Sequence, residues 1–225
     1  MKTSKGVTNM RAIGYRVTKG IDKYHHSFGG DMWNTPICPN CGTNLHLIFN
    51  FDLSDTRLDK LSNGKLYFIP LISCLNCSSY WSTQVFKIEP LTRTITILKQ
   101  ADEEGWVTED EYKLPYPLPF SNMKLEELHE SDLTSIEVDT DKAFEDFGSE
   151  YVCRILGEPL IATDPIKSTC YLCNENMEYV ATICSEDYDS EGLVHEGFTF
   201  DFGESFLYFY FCKSCIILQT EMQST

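Results

Sequence analysis

Eight of the ten cysteines in this 225-residue chain fall in four Cys-x-x-Cys pairs: Cys38/Cys41, Cys74/Cys77, Cys170/Cys173 and Cys212/Cys215. Two cysteines separated by two residues can turn both sulfurs toward one cation, and two such turns complete the tetrahedral four-thiolate shell that structural Zn²⁺ prefers. Four pairs predict two Zn²⁺ per chain, with Cys38, Cys41, Cys74 and Cys77 on one ion and Cys170, Cys173, Cys212 and Cys215 on the other. Local closure favours that division, because mixed ligand sets would require the halves to exchange strands across the connector at 90–150. A closed shell leaves no open coordination position, so the role read here is structural. Gly42, after the second cysteine of its pair, suits a turn with positive φ. Asn174 is the next most tolerant residue at the equivalent place, and Ser78 and Ile216 match less well.

Other reactive side chains carry less. His25, His26, His46, His129 and His195 form no HExxH helix, CxxCH haem motif or GxSxG elbow, so hydrolase and metalloprotease templates find no match. His25 and His26 precede the Phe28-Gly29-Gly30 turn as spare ligands, and His46 is expected on a strand as a surface or packing residue. Cys153 and Cys184 lie in apolar, strand-like surroundings, where unpaired cysteines are inert core groups. With no nucleophile, base and oxyanion set in view, the chain reads as a non-enzyme with no catalytic residues.

The elements that must hold the cysteines repeat. In the first half, Cys38-Pro-Asn-Cys41 is followed by the run LHLIFNFD, then by LYFIPLIS leading into the second pair. In the second half, Cys170-Tyr-Leu-Cys173 is followed by MEYVATIC and then by FLYFYF into Cys212. Leu45, Leu47 and Phe49 start four residues after Cys41, and Met177, Tyr179 and Ala181 start four after Cys173. That period of two predicts strands. The expected fold is α+β and β-rich: two duplicated, zinc-clipped antiparallel β units at 25–99 and 151–225, joined by an acidic, partly helical connector at 100–150. A basic segment at 1–24 precedes them. Thr94 to Leu98 should add a strand. Prolines 115, 117 and 119 exclude regular helix and indicate an extended, packed segment. From Ser121 to about Phe147 one or two helices are expected, Ser121 capping and Leu125, Leu128, Leu133 and Ile136 forming the apolar face.

Composition bounds the function. With 42% hydrophobic and 23% charged residues the chain can bury a core, and its net charge of −16 argues against nucleic-acid binding through a general basic surface. Charge is uneven: residues 1–100 carry twelve basic and six acidic groups, 101–150 carry three and sixteen, and 151–225 carry three and twelve. An acidic pole of this kind is either a solvated face or a surface that steers a basic partner. The basic stretch Lys2, Lys5, Arg11, Arg16, Lys19 and Lys23 either folds back on that pole or stays mobile, mobility being the default for termini. The longest apolar run, Phe206 to Cys212, is far short of a bilayer span, and no export signal is visible, so a cytoplasmic location with reduced thiols is expected.

The order of turn, cysteine pair, strand ending in Asp and strand entering a second pair resembles the duplicated module shared by bacterial YwqG-like proteins and eukaryotic programmed cell death protein two. Phe28-Gly29-Gly30 and Leu156-Gly157 with Pro159 are similar to the glycine-rich turn that opens each half of that module, with Glu158 where a second glycine is usual. Phe200-Asp201-Phe202-Gly203 resembles its Trp-Gly-Asp type turn, with Phe for Trp and the glycine displaced. The resemblance implies a non-catalytic, protein-binding module: an immunity protein or a chaperone for a basic client, such as a toxin or a ribosomal protein. A nucleic-acid-binding zinc ribbon is the alternative, and only the basic first half could supply its contacts.

Overall fold

The computed structural model describes residues 13–101, 105–133, 140–166, 168–190 and 192–224. Its strands are β1 (Gly14–Lys19), β2 (His26–Phe28), β3 (His46–Asp52), β4 (Phe68–Ser73), β5 (Gln84–Glu89), β6 (Thr94–Lys99), β7 (Ser121–Glu127), β8 (Cys153–Leu156), β9 (Glu178–Ile183), β10 (Ser205–Cys212) and β11 (Ile217–Ser224). One short helix, α1 (Thr140–Asp146), lies between β7 and β8. All eleven strands join one curled antiparallel sheet in the order β4-β3-β2-β7-β1-β8-β9-β10-β11-β5-β6. Among the described residues, no helix is long and apolar enough to cross a membrane.

The two halves share backbone devices. Ile48, seven residues after Cys41, is the extra residue where the β3–β4 register shifts, and Val180, seven after Cys173, is its counterpart in the β9–β10 pair. Such a bulge bends a strand and sharpens its twist, so both halves curl at the same place. The glycine turns agree as well: Gly29 and Gly30 have φ of 62° and 84°, and Leu156 and Gly157 have 60° and 71°. A side chain on Gly29 would lie 2.2 Å from the Pro119 carbonyl oxygen. The proline segment thus packs down on the turn, where the Gly30 N–H donates to Leu118 O.

Burial follows the strand period. In β10, Leu207, Phe209 and Phe211 enter the main core, whereas Tyr208 and Tyr210 join a second apolar cluster with Val85, Met177, Tyr179 and Ile217 on the opposite face. The sheet is therefore covered on both sides in the second half, and Tyr208 keeps its hydroxyl satisfied by donating to Leu160 O at 2.7 Å.

Three expectations are corrected. Residues 121–127 form strand β7 rather than a capped helix; Met123 and Leu125 alternate inward with polar neighbours, and β7 lies near the middle of the sheet between β2 and β1. Leu125 and Leu128 thus share no helical face, α1 is confined to the end of the expected region, and Ile136 lies outside the described residues. Second, part of the basic 1–24 segment is neither mobile nor separate. β1 pairs with β7 and β8, and Arg16 bonds Glu126 at 3.1 Å and Glu150 at 3.2 Å, so of the two expected readings this part of the segment folds back. Lys2, Lys5 and Arg11 lie outside the described residues. Third, the halves are not separate β units. β10 and β11 form a hairpin about Cys212–Cys215, but the chain leaving Cys77 turns through a 3₁₀ helix at Ser78–Trp81, and β5 pairs with β11 of the other half instead of with β4.

Two candidate metal centres

Each cysteine quartet forms where a strand end meets a tight turn. In the first, Cys38 and Cys41 lie on the loop before β3, and Cys74 and Cys77 follow β4; in the second, Cys170 and Cys173 precede β9, and Cys212 and Cys215 span the end of β10. At three of the four turns the residue after the second cysteine has positive φ: Gly42 at 72°, Asn174 at 59° and Ile216 at 56°. The N–H of each donates to the carbonyl of the first cysteine of its pair, Cys38, Cys170 and Cys212 respectively. A β-branched residue in this region costs about 1–2 kcal/mol, so the knuckle imposes its backbone on Ile216 against local preference. The fourth turn departs: the Ser78 N–H donates to Trp106 O and the chain enters the 3₁₀ helix that redirects β5.

All ten cysteines are free thiols. The structure brings Cys38, Cys41, Cys74 and Cys77 together, and separately Cys170, Cys173, Cys212 and Cys215, with the ligand atoms of each group within 4.8 Å of one another. Individual Sγ separations are 3.7 Å for Cys38–Cys77, 3.5 Å for Cys41–Cys74, 3.3 Å for Cys74–Cys77 and 3.7 Å for Cys173–Cys212. A tetrahedral shell with Zn–S bonds of about 2.3 Å has sulfur–sulfur edges of about 3.8 Å, so these separations are compatible with such an ion in each quartet.

The charge state of the thiols points the same way. Hydrogen bonds from Cys74 and Cys77 hold the Cys38 thiol well below its usual range, and the bond to Cys38 pushes Cys74 far above it. In the second group, the hydrogen bond with Cys173 helps push Cys215 up to about 12. Without a cation, like-charge repulsion restricts each cluster to few anions; a dication removes that restriction. The first centre is also buttressed by neutral partners: Gln100 Nε2 donates to Cys38 Sγ at 3.0 Å, and Ser79 Oγ accepts from Cys77 Sγ at 3.2 Å. Neither residue is singled out by the cysteine pattern, and no local sequence signal marks Gln100.

His46 is fully buried beside the first centre. Its Nδ1 accepts from the Leu75 N–H at 3.3 Å and its Nε2 lies 3.4 Å from Asn76 Nδ2, so it supports the loop between Cys74 and Cys77; burial pushes its pKa down to about 4. His26 belongs to a different arrangement. Its Nδ1 accepts from the Asp52 N–H, which leaves Nε2 to donate to Asp55 at 2.9 Å. Asp22, His26 and Asp55 are close enough to share a metal, but Arg57 already supplies the cation, with Nη2 2.6 Å from each carboxylate. The Asp55/Arg57 spacing directly after a strand was the available signal for this network. His25 contributes its backbone N–H to Asp52, His129 caps the turn at Glu130–Asp132, and His195 Nδ1 lies 2.8 Å from Ser121 Oγ. Cys153 and Cys184 are buried in the core, where loss of solvation raises both thiols well above their usual range. No family model, curated protein or solved structure matches the chain.

Proposed function

We propose that each quartet holds one structural Zn²⁺ and that this zinc-braced protein binds a basic protein client in the cytoplasm without catalysis, as an immunity factor or a chaperone. The observation that supports this reading is charge: residues 101–225 carry six basic against twenty-eight acidic groups. Part of that acid is internally neutralised. Glu126 pairs with Arg16 and Lys124, and Asp110 pairs with Lys113. Glu109 and Glu111 are exposed on the surface that would meet a partner first. Electrostatic complementarity of this kind sets encounter rate and selects the sign of the partner, while apolar contacts set residence time. The likeness of the repeated turn and cysteine order to the YwqG-like and programmed cell death protein two module supports the same reading.

The test is recovery of partners from native extract with zinc-loaded protein, followed by association kinetics against salt. Recovery of a basic protein is expected, with association slowing steeply as the Debye length falls below ~10 Å and dissociation changing less. Neutralising Glu109, Asp110 and Glu111 should slow association. Recovery of RNA or DNA without a basic protein, together with loss of affinity on removing Lys19 and Lys23, would replace this reading with the nucleic-acid one.

A further inference from the structure

A cavity of about 710 Å³ opens beside β10, between α1, the segment at 184–188 and the segment at 199–206. One wall is aromatic. Phe144 and Phe206 are partly exposed and meet edge to face at 5.5 Å, with Phe147 behind them at 5.7 Å from Phe206. The other wall is acidic: Glu186, Asp187, Asp201 and Glu204 line it. The aromatic wall is fixed by Arg154, a buried residue whose guanidinium lies 4.7 Å from the Phe147 ring centroid and donates to Asp132 O and Ala143 O. The acidic wall is fixed by Gly148, whose carbonyl accepts the Asp187 N–H; a side chain there would lie 2.3 Å from Asp187 Oδ1.

Glu186 is the informative residue. It is only 5% exposed, its Oε1 accepts one long bond from the Val194 N–H at 3.4 Å, and its Oε2 is buried with no hydrogen-bond partner. A buried carboxylate oxygen without a donor is costly to keep, and a donor carried by a ligand is one way to satisfy it. Among the described residues no basic side chain lines the cavity. Burial, and the nearby charge of Asp189, hold the Asp187 carboxyl above its usual range, which an incoming cation would reverse.

We infer that this cavity is a binding site for the cationic side chains of a basic peptide segment, arginine foremost, the guanidinium lying against the Phe144/Phe206 wall and donating to Glu186 and Glu204. Arginine suits it because a flat guanidinium both stacks on aromatic rings and presents several donors to carboxylates. The volume lies in the range that buries a drug-sized ligand, so a short segment enters rather than one atom group. The inference rests on the proposed basic client and adds where its basic segment is gripped.

The test uses the zinc-loaded chain and a fluorescent nona-arginine peptide, followed by anisotropy. Glu186→Gln with Glu204→Gln should weaken binding by about tenfold or more, since a buried charge partner is lost. Glu158→Gln with Glu175→Gln, the same change in charge at exposed positions outside the cavity in the same half, should weaken it less than about threefold. Glu204→Gln alone, at an exposed side chain, keeps the test valid if Glu186→Gln impairs folding, and should weaken binding more than Glu175→Gln alone. Equal weakening by both pairs would overturn the cavity as the site while leaving the basic-client reading intact. No binding of the peptide by the wild-type chain at low salt would overturn both.

Discussion

Replacing Arg57 by Met should destabilise a buried knot of charge, and more so at high pH than at low. The Asp55 carboxylate is fully buried and bonded by Arg57 Nε and Nη2 and by His26 Nε2; burial raises it, but these bonds outweigh burial and hold it below the usual carboxylate range. The Arg57 guanidinium lies 5.8 Å from the Tyr15 ring centroid and 5.5 Å from that of Tyr24, so Met removes the charge, these ring contacts and the hydrogen bonds, including the one to Leu125 O on β7. Leaving a buried carboxylate without its cation costs about 3–5 kcal/mol. His26 limits that loss. In the native protein burial holds His26 below its ordinary value, and Arg57 adds to this, while Asp55 and Asp52 pull the other way. Taking away Arg57 removes one lowering influence and leaves burial, the largest, opposed by the two carboxylates, so the depression becomes smaller.

The sign is the same in both proteins and the size differs. A depressed histidine contributes stability present above about pH 6.5 and lost as pH falls below it, and the less depressed His26 of the variant loses less over that range. The difference between wild type and Arg57→Met in urea unfolding should therefore be largest near pH 8.5, about 3–5 kcal/mol or roughly 6–20 °C in Tm at this chain length, and should shrink toward pH 6. A difference below about 1 kcal/mol, or one that is constant with pH, would refute the coupling of Arg57 to His26 through Asp55.

Metal analysis should find two Zn²⁺ per chain, and chelator should remove them in two phases, the second quartet first, because Cys173 and Cys215 are half-exposed whereas only Cys41 is so in the first; Cys215→Ser should abolish the fast phase alone, and release in one phase would contradict the unequal burial. Gly29→Ala should destabilise by several-fold more than Gly42→Ala in thermal unfolding, since both have positive φ but only Gly29 faces a carbonyl at 2.2 Å, while Gly42 has nothing within 4 Å; the Gly42 change should cost about 1–2 kcal/mol. Neutral, buried His46 should make wild-type stability fall by up to about 3 kcal/mol as pH drops from about 6.5 toward 4, and His46→Asn should flatten that limb in chemical unfolding with thiolate protonation common to both proteins.

What could be read before the structure was local. Cys-x-x-Cys spacing specifies a turn, and a period of two over seven residues specifies a strand, so the quartets, β3, β4, β6, β9 and β10 followed from short windows of sequence. β7 was hidden because Leu125, Leu128 and Leu133 also suit a helix, and only pairing with β1 and β2 decides for Met123 and Leu125. β1 was hidden because its partners lie more than a hundred residues away, and a short polar strand such as GYRVTK has no strong pattern of its own. The same holds for Gln100 at Cys38 and for Arg57 at Asp22: each contact joins residues that only the finished sheet brings together. Ligand locality and strand locality also proved independent, since the quartets close within halves while β5 crosses between them.

That crossing sets how the chain can be taken apart. β5 pairs at once with β6 but finds its second neighbour only when β11 has emerged from synthesis, more than a hundred residues later, so the first half cannot complete its fold while it is being made and keeps an unsatisfied strand edge in the interval. A fragment ending after β7 would expose that edge permanently, and a fragment starting at β8 would present β11 as a waiting template. The two pieces, made together, should reassemble into one particle held by β5 on β11 and β1 on β8, which makes the segment between β7 and β8 a natural place to split the protein into complementing halves.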